Sequence, residues 1–313
     1  MGFERPCVIQ LSFEKLQGLG NDFVFIDDMD HRLELTTEQV IWLCDRHFGI
    51  GADGVVLVRP SDRPECSGYM HYINADGTLA EMCGNGIRCF TKFLIDHGYV
   101  NAADAHYIAD TLRGPLQITF KLDNEGNFDV ATVDMDEPIL DAPSIPTTLP
   151  MSASPTEGIS CVYEQPVESP WGTFTFTCVS MGNPHAVCFL DTFEACPDEW
   201  FTSTEHSLET FDLNKIGAYF ESHEVFPAKA NIEFIHVDDK GLHMRVFERG
   251  CGETLACGTG ACASLVAAVL TGRSSRSNTV HLRGGDLHIS WNANNHVMMT
   301  GAARTSFTGT VIL

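Results

Sequence analysis

Alternating strand-like runs dominate this chain, with the two-residue period expected where one face of a strand is buried. The runs fall at residues 11–17, 23–27, 54–58, 69–73, 107–109, 116–121 and 128–133, with turn signals such as the Asp-Asn-Glu-Gly of 123–126 between them. A second series follows at 173–179, 185–190, 232–237, 242–248, 279–282, 287–291, 297–300 and 308–313. Helical spacing is confined to residues 37–48, 85–96, roughly 207–220, and 259–270, the first with Thr36 or Thr37 as its N-cap.

Between residues 136 and 158 there are five prolines, which no central strand tolerates, so this stretch reads as a connection between two halves. The expected division is residues 1–137 and 138–299. Each half holds many strands and one helix opened by Cys-Gly-x-Gly, at Cys83 and at Cys257. That repetition predicts an α+β protein in which one architectural unit is used twice. The helix after Cys257 is apolar on almost every side, as suits a helix ringed by strands, whereas Arg88, Lys92 and Asp96 on the other one ask for an exit to solvent.

Composition narrows the function classes. With 313 residues, 44% of them hydrophobic, the chain can build real cores. Its 42 acidic against 19 basic residues leave a formal charge of −23, which argues against nucleic acid or an anionic membrane as partner. No apolar run approaches a bilayer span, and the first residues lack the pattern of a signal or transit peptide. The expected location is the cytoplasm, or a plastid stroma if a transit peptide has been removed. Twelve cysteines within apolar runs, and not at framework spacings, suit a reducing compartment where most of them act as small buried hydrophobes.

A cysteine at a glycine-rich helix start has specific chemistry available. The glycines let the backbone turn sharply into the helix and leave its first N–H groups unpaired. Those donors and the positive end of the helix dipole bind a carboxylate, and the same dipole favours thiolate over thiol. Two such starts acting on one amino acid would put its α-carbon between two sulfurs. One would remove the α-proton and the other would return a proton from the opposite face, inverting the centre while the N–H groups hold the enediolate. A four-sulfur metal site from Cys83, Cys89, Cys257 and Cys262 is an alternative, but it lacks the tight Cys-x2-Cys knuckle. A thiol redox or metal-binding module is another.

Six blocks carry a resemblance: GLGNDFVFID (18–27), GADG (51–54), NADGTLAEMCGNGIRC (74–89), MGNPHAV (181–187), FPAKANIEFI (226–235) and RVFERGCGETLACGTGACAS (245–264). In this order they resemble the diaminopimelate epimerase family, with MTG at 299–301 similar to its final strand. The resemblance implies two similar domains, each a strand-rich barrel-like sheet around a central helix. It also implies an active site in the cleft between them and a last strand, from about residue 300 to 313, returning to the first domain. It implies an isomerase of lysine biosynthesis that interconverts LL- and meso-2,6-diaminopimelate without cofactor or metal, the substrate being a small molecule and the assembly a homodimer.

By the same resemblance Cys83 and Cys257 are the acid/base pair, with His185 and Glu248 assisting the thiols. Gly84, Asn85, Gly258 and Thr259 hold the reacting carboxylate through backbone N–H groups. Asn21, Asn74, Asn183, Asn231 and Arg249, with the backbone near Glu248, take the distal head group. Where some members carry a substrate-contacting Gln, this chain has Gly54, and Met298 stands where an aromatic residue is common. Proline racemase-like enzymes also pair two cysteines, but they typically carry His at the position of Asn85.

Overall fold

A strand whose residues are apolar at every position must be covered on both faces, and the computed structural model of this chain, described over residues 9–80 and 82–313, is organised around such strands. In chain order the elements are β1 Gln10–Gly18, β2 Asn21–Asp27, α1 Thr37–Cys44, β3 Gly54–Arg59, β4 Tyr69–Asn74, α2 Gly84–Asp96, β5 His106–Ala109, β6 Leu116–Leu122 and β7 Phe128–Asp134. Then come β8 Ser152–Ala153, β9 Ser160–Ser169, β10 Gly172–Ser180, β11 Pro184–Phe189, α3 Leu213–Glu221, β12 Asn231–Val237, β13 Leu242–Glu248 and β14 Gly252–Glu253. The last are α4 Gly258–Leu270, β15 Ser277–Leu282, β16 Gly285–Trp291, β17 Val297–Ala302 and β18 Arg304–Ile312. The chain divides into two compact units, one running to Val133 and taking in Gly301–Leu313, the other Asp134–Thr300.

In the first unit a five-stranded sheet runs β18-β1-β2-β3-β4, and β5-β6-β7 form an antiparallel set beyond it. β2 shows why both faces are covered. Val24 and Ile26 join the cluster around Val40 and Leu43 of α1, whereas Phe25 points the other way and stacks on Phe93 of α2 with ring centroids 5.7 Å apart. α1 begins with a capping box, in which Thr36 accepts from the Gln39 N–H at 3.3 Å and the Gln39 side chain accepts from the Thr36 N–H at 2.9 Å. It stops at Cys44, four residues short of the expected end. Asp45 turns extended there and its carboxylate accepts from the N–H groups of His47 and Phe48 at 2.7 and 2.8 Å.

In the second unit the strand order is β17-β16-β15-β13-β12-β11-β10-β9-β8, with β14 paired to β13. Its α4 face and its opposite face are again set by alternation. Ile232 and Phe234 of β12 join an aromatic cluster with Phe174, Phe176, Phe211 and Phe220, and Glu233 between them points to the other side. α4 lies on that side with every residue but Thr259 buried, which is the central helix ringed by strands. β9 is the longest strand not foreseen, the others being the two-residue β8 and β14. It carries Pro166, tolerated because β8 pairs only with Ser160 and Cys161, so the proline lies where β9 has a single partner strand. α3 starts at Leu213 and not near 207, because Asp212 is its N-cap and accepts from the Lys215 N–H at 3.3 Å. Among the described residues no helix is long and apolar enough to cross a membrane.

Candidate active site

In the first unit the cysteine stands just outside the helix it opens. Cys83 is the N-cap of α2 in extended geometry, and its Sγ accepts the Gly86 N–H at 3.4 Å. The thiol also lies 3.6 Å from Asn21 Oδ1, to which Asn85 Nδ2 donates at 3.2 Å. Asn21 is held by its other end, since Nδ2 donates to Asp53 at 2.6 Å. Asp53 is itself fixed by Arg46 at 2.7 Å, and Arg46 also forks onto Asp22 at 2.7 and 3.0 Å. Burial alone would raise the Asp22 pKa, but hydrogen bonds and charge from Arg46 and Lys15 outweigh it and hold that carboxyl below its ordinary value.

Arg88 corrects one expectation. It is fully buried, with no exit to solvent, because its guanidinium is used inside: it donates to Gly84 O and Asn85 Oδ1 at 2.9 Å each and to Ala302 O at 3.2 Å. The arginine therefore orients the same first turn that the cysteine caps. Asn74, at the end of β4, is tied to Thr78 Oγ1 at 3.1 Å and is not bonded to this group. Gly54 is enforced by its surroundings. A Cβ there would lie 2.5 Å from the Tyr72 ring and 2.6 Å from Ile73 O, so no larger side chain fits while Tyr72 is present.

In the second unit Cys257 is the N-cap of α4, 5% exposed, and its Sγ lies 3.5 Å from Thr259 Oγ1. His185, on β11, is wholly buried, with Nδ1 2.6 Å from Glu233 Oε1 and Nε2 3.0 Å from Asn183 Oδ1. Glu248, at the end of β13, accepts from the Thr254 hydroxyl. Asn231 is buried and used at both ends. Its Nδ2 donates to Pro184 O at 2.8 Å, and its Oδ1 accepts the Arg249 N–H at 2.9 Å. The Arg249 side chain is exposed, and one guanidinium nitrogen donates to Ala228 O at 3.3 Å. The turn between Glu248 and Cys257 is braced from behind by Glu221, which accepts the Gly250 N–H at 3.0 Å, and by the Arg245–Glu253 fork at 2.8 and 3.0 Å.

The electrostatics of Cys257 run against the helix start. Burial, then the charges of Glu248 and Glu233, push its thiol well above the ordinary value, outweighing the opposing hydrogen bonds from Thr259 and the Gly260 N–H. Cys257 is thus held as a thiol. Burial likewise pushes Cys44 up to about 11 and Cys89 and Cys188 to about 12, which keeps these structural cysteines inert. Sequence reasoning passed over Asp53 and Glu233. The signal for Glu233 was present, since Asn-Ile-Glu-Phe-Ile places a carboxylate inside an otherwise apolar strand.

Both helix starts, with every residue named around them, fall inside the two segments, 13–140 and 177–306, matched by the profile of the family described as Diaminopimelate epimerase. The chain belongs to the diaminopimelate epimerase family. It is accordingly an isomerase of the amino-acid epimerase type. It is 40% identical over 304 residues to the diaminopimelate epimerase of Leptospira biflexa serovar Patoc, covering 97% of this chain and 99% of that one. To the diaminopimelate epimerase of Picosynechococcus sp. it is 45% identical over 306 residues, covering 97% and 99%. In fold it is similar to a hydroxyproline epimerase from Agrobacterium vitis, with TM-score 0.63, 14% identity and coverage of 97% and 93%. The chain thus shares its fold with that hydroxyproline epimerase, while its sequence sides with the diaminopimelate epimerases.

Proposed function

We propose that this chain interconverts LL- and meso-2,6-diaminopimelate by a two-base proton exchange between Cys83 and Cys257, without pyridoxal phosphate or metal. The observation that carries this reading is the pair of helix starts, each N-capped by a cysteine and each with a first turn whose N–H groups have no partner within the helix. In one direction Cys83 takes the α-proton. The electron pair left on the α-carbon spreads into the carboxylate, whose growing charge is carried by the N–H groups of Gly84, Asn85, Gly258 and Thr259. Cys257, held as a thiol by its buried, carboxylate-lined surroundings, delivers its proton to the opposite face. The reverse reaction exchanges the two roles.

His185 and Glu248 assist the thiols in this reading. Asn21, Asn74, Asn183, Asn231 and Arg249 serve the distal head group, and Arg249 supplies the bidentate fork that a carboxylate accepts, so Arg249→Lys raises KM about tenfold. We place this work in the cytoplasm, since thiols that must cycle as acid and base need a reducing environment.

The test is incubation with LL-diaminopimelate in deuterated water without added cofactor. Meso product carrying deuterium at one α-carbon is expected, with inversion lost in Cys83→Ala and in Cys257→Ala. Full activity in either variant overturns the two-base scheme.

A further inference from the structure

Beside the second helix start lies a carboxylate that the two-base scheme does not use. Glu233 is fully buried in the middle of β12, with Oε1 2.6 Å from His185 Nδ1 and Oε2 without a hydrogen-bond partner among the described residues. Burying a carboxylate on these terms is costly unless a cation or a shared proton offsets it. Room for it has been made deliberately at α4: a Cβ on Gly260 would come within 2.8 Å of Oε1 and 3.2 Å of Cys257 Sγ. The second glycine of Cys-Gly-x-Gly is therefore the space in which Glu233 sits.

His185 fixes the proton count. Its Nε2 faces the amide oxygen of Asn183, which only accepts, so Nε2 carries a hydrogen. The remaining proton lies between Nδ1 and Glu233 Oε1. Four groups feel the charge of Glu233 or act on it: His185 from β11, Glu248 from β13, Cys178 from β10 and Cys257 at the start of α4. Of these only His185 can offset a negative charge, because Glu248 and the thiols would add to it.

We propose that Glu233 is the positioning residue of His185: it fixes the ring with Nδ1 toward the sheet and keeps Nε2 as the proton-bearing edge. The proposal rests on the reading of His185 as a partner of the thiols. When Nε2 gives up its proton, the proton shared at Nδ1 stays with the ring and the charge remains on Glu233, so no bare imidazolate forms. Glu233 exchanges nothing with substrate.

The experiment uses the full-length enzyme, with ring-15N histidine for the tautomer and initial epimerisation rates for kcat and KM. In the wild type the His185 15N signals, assigned by their loss in His185→Gln, are expected to show Nδ1 protonated; a bare Nδ1 in a neutral ring overturns the proposal without any Glu233 variant having to fold. Glu233→Gln removes the charge and keeps the shape. It is expected to lower kcat about 10- to 100-fold and change KM by less than about threefold. Unchanged kcat in Glu233→Gln, with His185→Gln inactive, overturns the inference alone. Full activity in His185→Gln overturns the role given to His185, and the inference with it.

Discussion

α2 and α4 are both 13 residues long and both open on Cys-Gly-x-Gly, yet they are held by opposite means. The start of α2 is braced by an inward-pointing cation. Arg88, five residues after its cysteine, is buried and spends its hydrogen bonds on the first turn. Five residues after Cys257 stands Cys262, and the start of α4 is instead backed by a buried anion, Glu233, from a neighbouring strand. Cys83 is half-buried beside amides, whereas Cys257 is buried beside carboxylates. A repeated motif can thus place the same thiol in two electrostatic settings, and a reaction that needs one group to give a proton while another takes one gains from that asymmetry.

The comparison breaks most visibly at Arg88. Arg88→Ala leaves a cavity and unpaired carbonyls, and is expected to cost about 4 kcal/mol in urea unfolding. The matching change Cys262→Ala costs only about 1 kcal/mol; equal losses would mean that the two first turns are braced alike. Next come the second glycines. Gly260→Ala drives a methyl into Glu233 and Cys257, and is expected to destabilise by about 2 kcal/mol and to lower kcat at least tenfold. Gly86→Ala meets nothing closer than 3.4 Å and, being inside a helix, is expected to stabilise by about 0.5–1 kcal/mol. Thermal unfolding and initial rates on the two variants decide it, and a Gly260→Ala enzyme as active as the wild type would remove Glu233 from the picture.

The smallest effect is on thiol reactivity. Because burial and carboxylate charge raise the Cys257 pKa, its alkylation by iodoacetamide at about pH 8 is expected to run at least tenfold slower than that of a free thiol and to quicken only as pH rises past the ordinary thiol range. The same sign applies to stability. Above that range an unfolded chain releases thiol protons that native Cys44, Cys89 and Cys188 retain, so the unfolded state binds fewer protons and the native state loses ground. The urea midpoint measured under reductant should fall between pH 9 and about 11, the window between the ordinary thiol value and the raised value of Cys44. A flat midpoint would contradict the raised values.

Much of this was legible before any coordinates, for physical reasons that can be named. The short apolar runs of β2 and β12 were readable as strands because alternate residues of each enter cores on opposite sides, and Cys-Gly-x-Gly marked both helix starts because a capping residue followed by glycines has few other uses. The misreadings share a cause, which is that hydropathy registers what a residue is and not what it meets. Arg88 reads as a surface residue until Gly84 O, Asn85 and Ala302 O are seen to satisfy it. Pro166 reads as a strand breaker until β9 is found with one partner strand along that stretch. Asp45 ends α1 early by a side-chain bond to two backbone N–H groups, which periodicity does not encode.

β18 deserves a kinetic reading. It pairs with β1 along its length, joining Gln10 to Ile312 and Gln17 to Arg304, so the sheet that carries Asn21 is closed by a strand made some three hundred residues after it was begun. On the ribosome, Asp134–Thr300 can collapse as soon as it emerges, while the unit begun first keeps one flank of β1 unpaired throughout. Closing so long a loop is slow in proportion to the chain entropy it consumes. The half synthesised first is the half that matures last, and until it does an open strand edge waits for β18 or for a wrong partner.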